Sequence, residues 1–185
     1  MEEREIDVRF EADADAHPSG EGLRSQIQRS RVTLAREAFA QQRLEVEARH
    51  RELLADVAVM FPTPAGRYVL EHGRWFIPRH RPTGVRKGSD KACYRNTGRY
   101  VLDHPEHRYV EGFAMSTNLG MVVQHAWAAD SMDFVIDRTW KDPEDSLYFG
   151  VSFDVVTWAT LAHGREGLSL FHDGTVPPAI IEAAT

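Results

Sequence analysis

No second cysteine accompanies Cys93 in the 185 residues. An internal disulfide and a Cys-based zinc ribbon are therefore excluded, and if Cys93 has a role it acts as a thiol. Long apolar runs are missing too: no stretch approaches the roughly 18 consecutive apolar residues that span a bilayer. Met1 is followed by Glu2, Glu3 and Glu5, where a secretory signal would carry basic residues and then a hydrophobic stretch. A cytoplasmic protein with no membrane partner is expected. Positive charge is outweighed, with 22 Lys and Arg against 28 Asp and Glu and a formal net charge of -6. Phosphate binding draws on clustered Lys and Arg, so no nucleic-acid partner is expected. Glycine-rich phosphate-cradling fingerprints are absent. His163 and His172 stand nine apart without a His-Glu-x-x-His arrangement or Cys partners, so neither a metal nor a cofactor is expected.

What is present suffices for one folded domain, since 42% of the residues are hydrophobic. Residues 1–20 are rich in Glu, Asp and Ala and read as an acidic flexible tail. Good helix formers dominate residues 21–60 and predict a helical arm, without the sustained heptad of a coiled coil. Phe61-Pro62-Thr63-Pro64 stops that helix and places a domain boundary at residue 61, with the domain proper over 61–185. Arg67-Tyr68-Val69-Leu70 and Arg74-Trp75-Phe76-Ile77 flank Glu71-His72-Gly73 and predict a hairpin.

A breaker-rich basic loop follows between Pro78 and Asp90, carrying Arg79, Arg81, Arg86 and Lys87; solvation is its default state. Residues 92–103 predict a helix ended by His104-Pro105, with Cys93 at its beginning. Residues 108–114, 122–127 and 134–137 predict successive strands, the last two paired around Ala129-Asp130-Ser131. Leu147 to Val151 adds a strand, Ser152 is the expected cap of a helix ending at Gly164, and the remainder reads as a trailing segment. The fold class is α+β: a Cys-bearing helix on an antiparallel sheet, with a long N-terminal helical arm.

A thiol attacks as its thiolate. The beginning of a helix favours that anion through unpaired N–H groups and the helix dipole, and the same groups can help form an oxyanion hole. Nucleophilic catalysis also needs a base within reach and a third group that fixes the base's tautomer. His125 and Asp137 fit those roles if their strands pair, because their side chains then face one another across the hairpin. Taken singly, each has a structural explanation: Cys93 as apolar filler, His125 as a satisfied core histidine, Asp137 as a turn residue.

Cys93 leading a helix, then His125-Ala126-Trp127, then Ile136-Asp137-Arg138-Thr139-Trp140 resembles the core of the transglutaminase-like superfamily, relatives of the papain-like cysteine hydrolases. The pattern there is Cys, His-Ala-Trp, then an apolar residue before Asp-Pro-Thr; Arg138 stands here in place of the proline. The wider runs Cys93-Tyr94-Arg95-Asn96, Tyr109 to Ala114 and Tyr148-Phe149-Gly150-Val151 are similar to small proteins of phages and actinobacteria. The resemblance covers roughly residues 91 to 153.

It implies a transglutaminase-like core with Cys93 as nucleophile, His125 as base and later acid, and Asp137 as orienting carboxylate. The implied activity is that of a cysteine hydrolase (amidase or thiol protease) or acyltransferase, acting without a cofactor through a thioester on an amide- or ester-bearing substrate, proteins among the candidates. Gln124, Trp127, Trp140 and Asn96 are the candidate substrate-binding or supporting residues. The alternative is an inactive member of the same fold that contacts a protein partner through the helical arm and the basic loop.

Overall fold

The computed structural model describes residues 41, 44–116, 120–164 and 167–183. The acidic tail expected over 1–20 and the first half of the expected arm, 21–40, lie outside the described residues. The chain divides into two units, Met1–Val46 and Glu47–Thr185. In the first, residues 41 and 44–46 are helical. In the second, residues 47–60 form helix α1. Leu53 and Val57, four apart and hence on one helical face, are fully buried in the main core of this unit. Residues 47–60, on the N-terminal side of the boundary expected at residue 61, therefore pack with the second unit.

The first half of the expected hairpin is also corrected. Residues Pro64–His72 are helix α2, not a strand. Thr63 caps it by accepting from the Gly66 N–H at 3.1 Å, and Pro64 starts it with its ring already at helical φ. The second of the two prolines that follow α1 thus begins the next helix, and this local signal outweighs the β-prone composition of Tyr68-Val69-Leu70. Only the second half of the hairpin is extended, as strand β1 (Arg74–Phe76).

Four more strands follow: β2 (Arg108–Ser116), β3 (Met121–Ala129), β4 (Val135–Ile136) and β5 (Ser146–Phe153). They form one antiparallel sheet in the order β1-β5-β2-β3-β4. The sheet curls until its two edges meet, where Ile77 and Phe134 make a bridge with N–H···O bonds of 2.9 Å to either side. The architecture is α+β, as the sequence predicts.

Alternation along the strands sends side chains to two cores. Tyr109, Phe113 and Met115 of β2 join the larger one, shared with the helices, while Val110 and Ala114 join a smaller one with Phe76, Trp127, Val135 and Tyr148. In that smaller core Gly112 stands opposite Gly150. A Cβ on Gly150 would lie 2.9 Å from the six-membered ring of Trp127, and one on Gly112 would lie 2.3 Å from the Phe149 carbonyl oxygen. The bare glycine backbone is what lets the indole rest on the sheet.

Helix α3 (Cys93–Asp103) is bound to β3 through Thr97, whose hydroxyl donates to the Ala126 carbonyl at 3.0 Å. Helix α4 (Val155–Ala162) is capped by Asp154, which accepts from the N–H groups of Val156 and Thr157 at 2.9 Å. Ser152, the expected cap, is still within β5 and accepts instead from Arg74 at 2.9 Å.

The C-terminal segment, expected merely to trail, carries Leu170, Phe171 and Ile180 into the main core and ends in α5 (Pro178–Ala183). It is held by the buried Glu111 of β2, which accepts from the Leu170 N–H at 3.0 Å, the Tyr109 hydroxyl at 3.0 Å and the Ser169 hydroxyl. Burial pushes the Glu111 carboxyl above its ordinary value, and these donors offset part of that rise. Among the described residues no helix is long and apolar enough to cross a membrane.

Candidate active site

Cys93 is the first residue of α3, and its cap residue Ala92 offers the helix no side-chain acceptor. Among the described residues no cap side chain takes up the first-turn N–H groups of this helix. Lys91, just before, holds the left-handed backbone conformation at φ 58°. A side chain is uncommon there, and such backbone concentrates at functional sites.

His125 of β3 lines the same cleft as Cys93, whose thiol lies near enough to act on the imidazole. Its Nε2 lies 2.7 Å from Asp137 Oδ2, both groups being buried. With Nε2–H donated to the carboxylate, Nδ1 is the ring nitrogen left for the sulfur. Burial alone would push the imidazole down. The Asp137 charge and hydrogen bond and the Cys93 thiol outweigh it, so His125 is raised from 6.5 to about 9.

For Asp137, burial alone would push the carboxyl up. The His125 charge and hydrogen bond and the Thr139 and Trp140 N–H groups overcome this and hold it below the ordinary value. Those N–H groups reach Oδ1 at 2.6 and 3.2 Å, so Asp137 builds its own turn with Arg138 in the position of the resemblance's proline.

These shifts set a pH dependence of stability. A raised imidazole stabilises the fold fully below about 6.5 and progressively less as pH rises through about 9. The depressed carboxyl stabilises above its unfolded value of 3.8 and loses that contribution as pH falls through its lower folded value. Calorimetry is expected to show a melting temperature that declines between pH 6.5 and 9, with the decline abolished in His125→Gln.

Several supporting groups were not among the predicted site residues. The Tyr148 hydroxyl donates to Asp137 Oδ2 at 2.9 Å. A strand tyrosine facing inward must place its hydroxyl on a partner, and that rule was the available signal. Arg81 donates to the Asp137 carbonyl at 2.9 Å and to the Trp140 carbonyl. Arg79 donates to the Val135 carbonyl at 3.2 Å, and Arg138 to the Arg86 carbonyl at 2.9 Å. The basic loop, expected to be solvated, is thus in part a brace, with arginines holding backbone carbonyls around Asp137.

A cleft of about 440 Å³ opens over the sulfur, lined by Lys91, Tyr94, Val123, Gln124, Thr139 and Trp140 along with Asp90, Cys93 and His125. Gln124 is exposed on its wall, and Trp140 stacks on the imidazole at 4.5 Å. Trp127 does not line it. It is 0% exposed, with Phe76 at 5.5 Å and Tyr148 at 5.0 Å. Asn96 does not line it either: its amide donates to the Ser89 carbonyl at 2.7 Å and the Thr139 hydroxyl at 3.0 Å, pinning the basic loop to the turn after Asp137. Cys93, His125, Asp137, Gln124 and Trp140 are therefore brought together at or directly behind the cleft, while Trp127 and Asn96 build its support.

No family profile, no curated protein and no solved structure matches the chain.

Proposed function

We propose that this protein is a cysteine hydrolase or acyltransferase of transglutaminase-like, papain-related fold. The observation that carries the proposal is the thiol–imidazole–carboxylate line from Cys93 through His125 to Asp137 at the cleft. A protonated imidazole beside a sulfur favours its thiolate form. The sulfur attacks the carbonyl carbon of an amide or ester, and the tetrahedral oxyanion is met by the N–H groups at the beginning of α3, with the Gln124 amide on the adjacent wall. His125 then gives its proton to the departing amine or alcohol, leaving a thioester on Cys93. In the second half, His125 takes a proton from water or an acceptor amine, which displaces the thiolate. Asp137 keeps Nδ1 aimed at the sulfur throughout and balances the imidazolium. The curled antiparallel sheet with the cysteine at the head of a packed helix supports the papain-related reading of the scaffold.

The test is the rate of iodoacetamide labelling at pH 6.5, where an ordinary thiol is only about 1% thiolate. Cys93 in the folded protein is expected to react at least about tenfold faster than in the urea-unfolded chain, an advantage lost in His125→Ala. Labelling only after unfolding overturns the proposal in favour of an inactive binding module.

A further inference from the structure

The turn that joins α3 to β2 brings together His104, Glu106 and His107, whose ligand-type atoms all lie within 4.8 Å of one another. Nδ1 of each imidazole stands 3.5 Å from the same oxygen, Glu106 Oε1. That spacing is longer than the about 2.7–3.2 Å of an N–H···O hydrogen bond. It is close to the about 3.3 Å that separates two ligand atoms of a tetrahedral ion bound at about 2.0–2.1 Å.

A second observation points the same way. His107 Nδ1 is buried and has no hydrogen-bond partner, whereas a buried polar atom normally finds one. The rings are also held in place, because buried Tyr100 packs against His104 at 4.4 Å and His107 at 5.5 Å. Arg79, whose positive charge reaches this turn, is paired with Asp130 at 3.1 Å and so opposes a cation less.

We propose that His104, Glu106 and His107 form a binding site for one divalent transition-metal ion, with zinc as the first candidate. Two imidazoles and a carboxylate are a donor set that suits zinc and its neighbours in the first transition row over magnesium or calcium. His104 is 46% and Glu106 62% exposed at the side chain, which leaves a fourth position to water. At about 1.5 Å of rise per residue, the eleven residues of α3 put this site about 16 Å from the sulfur. The ion therefore takes no part in the chemistry at Cys93. It clasps the C-cap of the site helix to the residue just before β2, and its binding energy is added to that of folding.

The full chain titrated with Co²⁺ is expected to take up one ion with the strong visible bands of a four-coordinate centre, which Zn²⁺ then bleaches. Zn²⁺ is also expected to raise the melting temperature. Glu106→Gln and His104→Ala change exposed side chains and should fold as the parent does; each is expected to abolish the bands and the thermal shift. His163→Ala, at an exposed histidine elsewhere, should keep both. Absence of saturable uptake, or bands that persist unchanged in Glu106→Gln and His104→Ala, overturns the proposal.

Discussion

Asp137→Asn is expected to slow acylation of Cys93 by about 10⁴-fold, the scale on which a triad fails when its base is held in the wrong tautomer. The carboxylate accepts from four donors: His125 Nε2, the Tyr148 hydroxyl and the N–H groups of Thr139 and Trp140. An asparagine has one acceptor oxygen where the aspartate has two. If that oxygen keeps the turn N–H groups, the new NH₂ faces His125 Nε2 and donates to it. The ring proton then moves to Nδ1, the nitrogen that should receive the thiol proton. If the amide flips instead, the turn carrying Thr139 and Trp140 loses both of its bonds. Either way, buried donors are left unsatisfied, at about 1–3 kcal/mol each. The measurement pairs an acylating probe with a melting curve. A loss in acylation rate smaller than tenfold in a folded variant rules out this role for Asp137.

Trp127→Ala is expected to cost about 3–5 kcal/mol, a large share of the about 5–15 kcal/mol that holds a domain together. The side chain is fully buried between Phe76, Tyr148 and the backbone of Gly150, and nothing small can fill the space it leaves. Trp127→Phe is expected to be far milder, because it keeps most of the ring and removes an indole N–H that is buried without a partner. Urea denaturation separates the two. Had Trp127 contacted substrate, as the sequence suggested, both changes would weaken binding and leave the unfolding midpoint in place.

The centre of the chain was legible because each signal there was local and repeated. The helix over 93–103 has its breaker at His104-Pro105, and β2, β3 and β4 alternate or run apolar between turn residues. The three site residues could be nominated because a helix-leading cysteine precedes two strands able to pair, and because the ordered motifs around them resemble those of the transglutaminase-like superfamily. What misled was composition without context. Arg67 to Leu70 looks β-prone, yet Thr63-Pro64 in front of it begins a helix. His125 and Trp127 lie two apart on one face of β3, but the cleft reaches only as far as His125, and Trp127 is sealed in the smaller core.

Long-range partners were the other blind spot. Arg81 and Asp137 are 56 residues apart, Glu111 and Leu170 59 apart, and no window of sequence shows that they meet. The His104–Glu106–His107 trio carries none of the usual metal-ligand signals, since it sits in a turn with neither helical spacing nor cysteines.

The meeting of the sheet's two margins at Ile77 and Phe134 has a consequence for the molecule in a crowded solution. A sheet that stops at an open border offers its last strand to any passing chain with matching amide groups, the usual first step toward fibrils and exchanged dimers. Here the border strands are three and two residues long and fastened to each other. At that join the ladder therefore offers little that a neighbour could extend, and slow self-association during storage or overexpression should begin elsewhere, the length of β3 before Ala128 that β4 leaves without a strand partner being one such place.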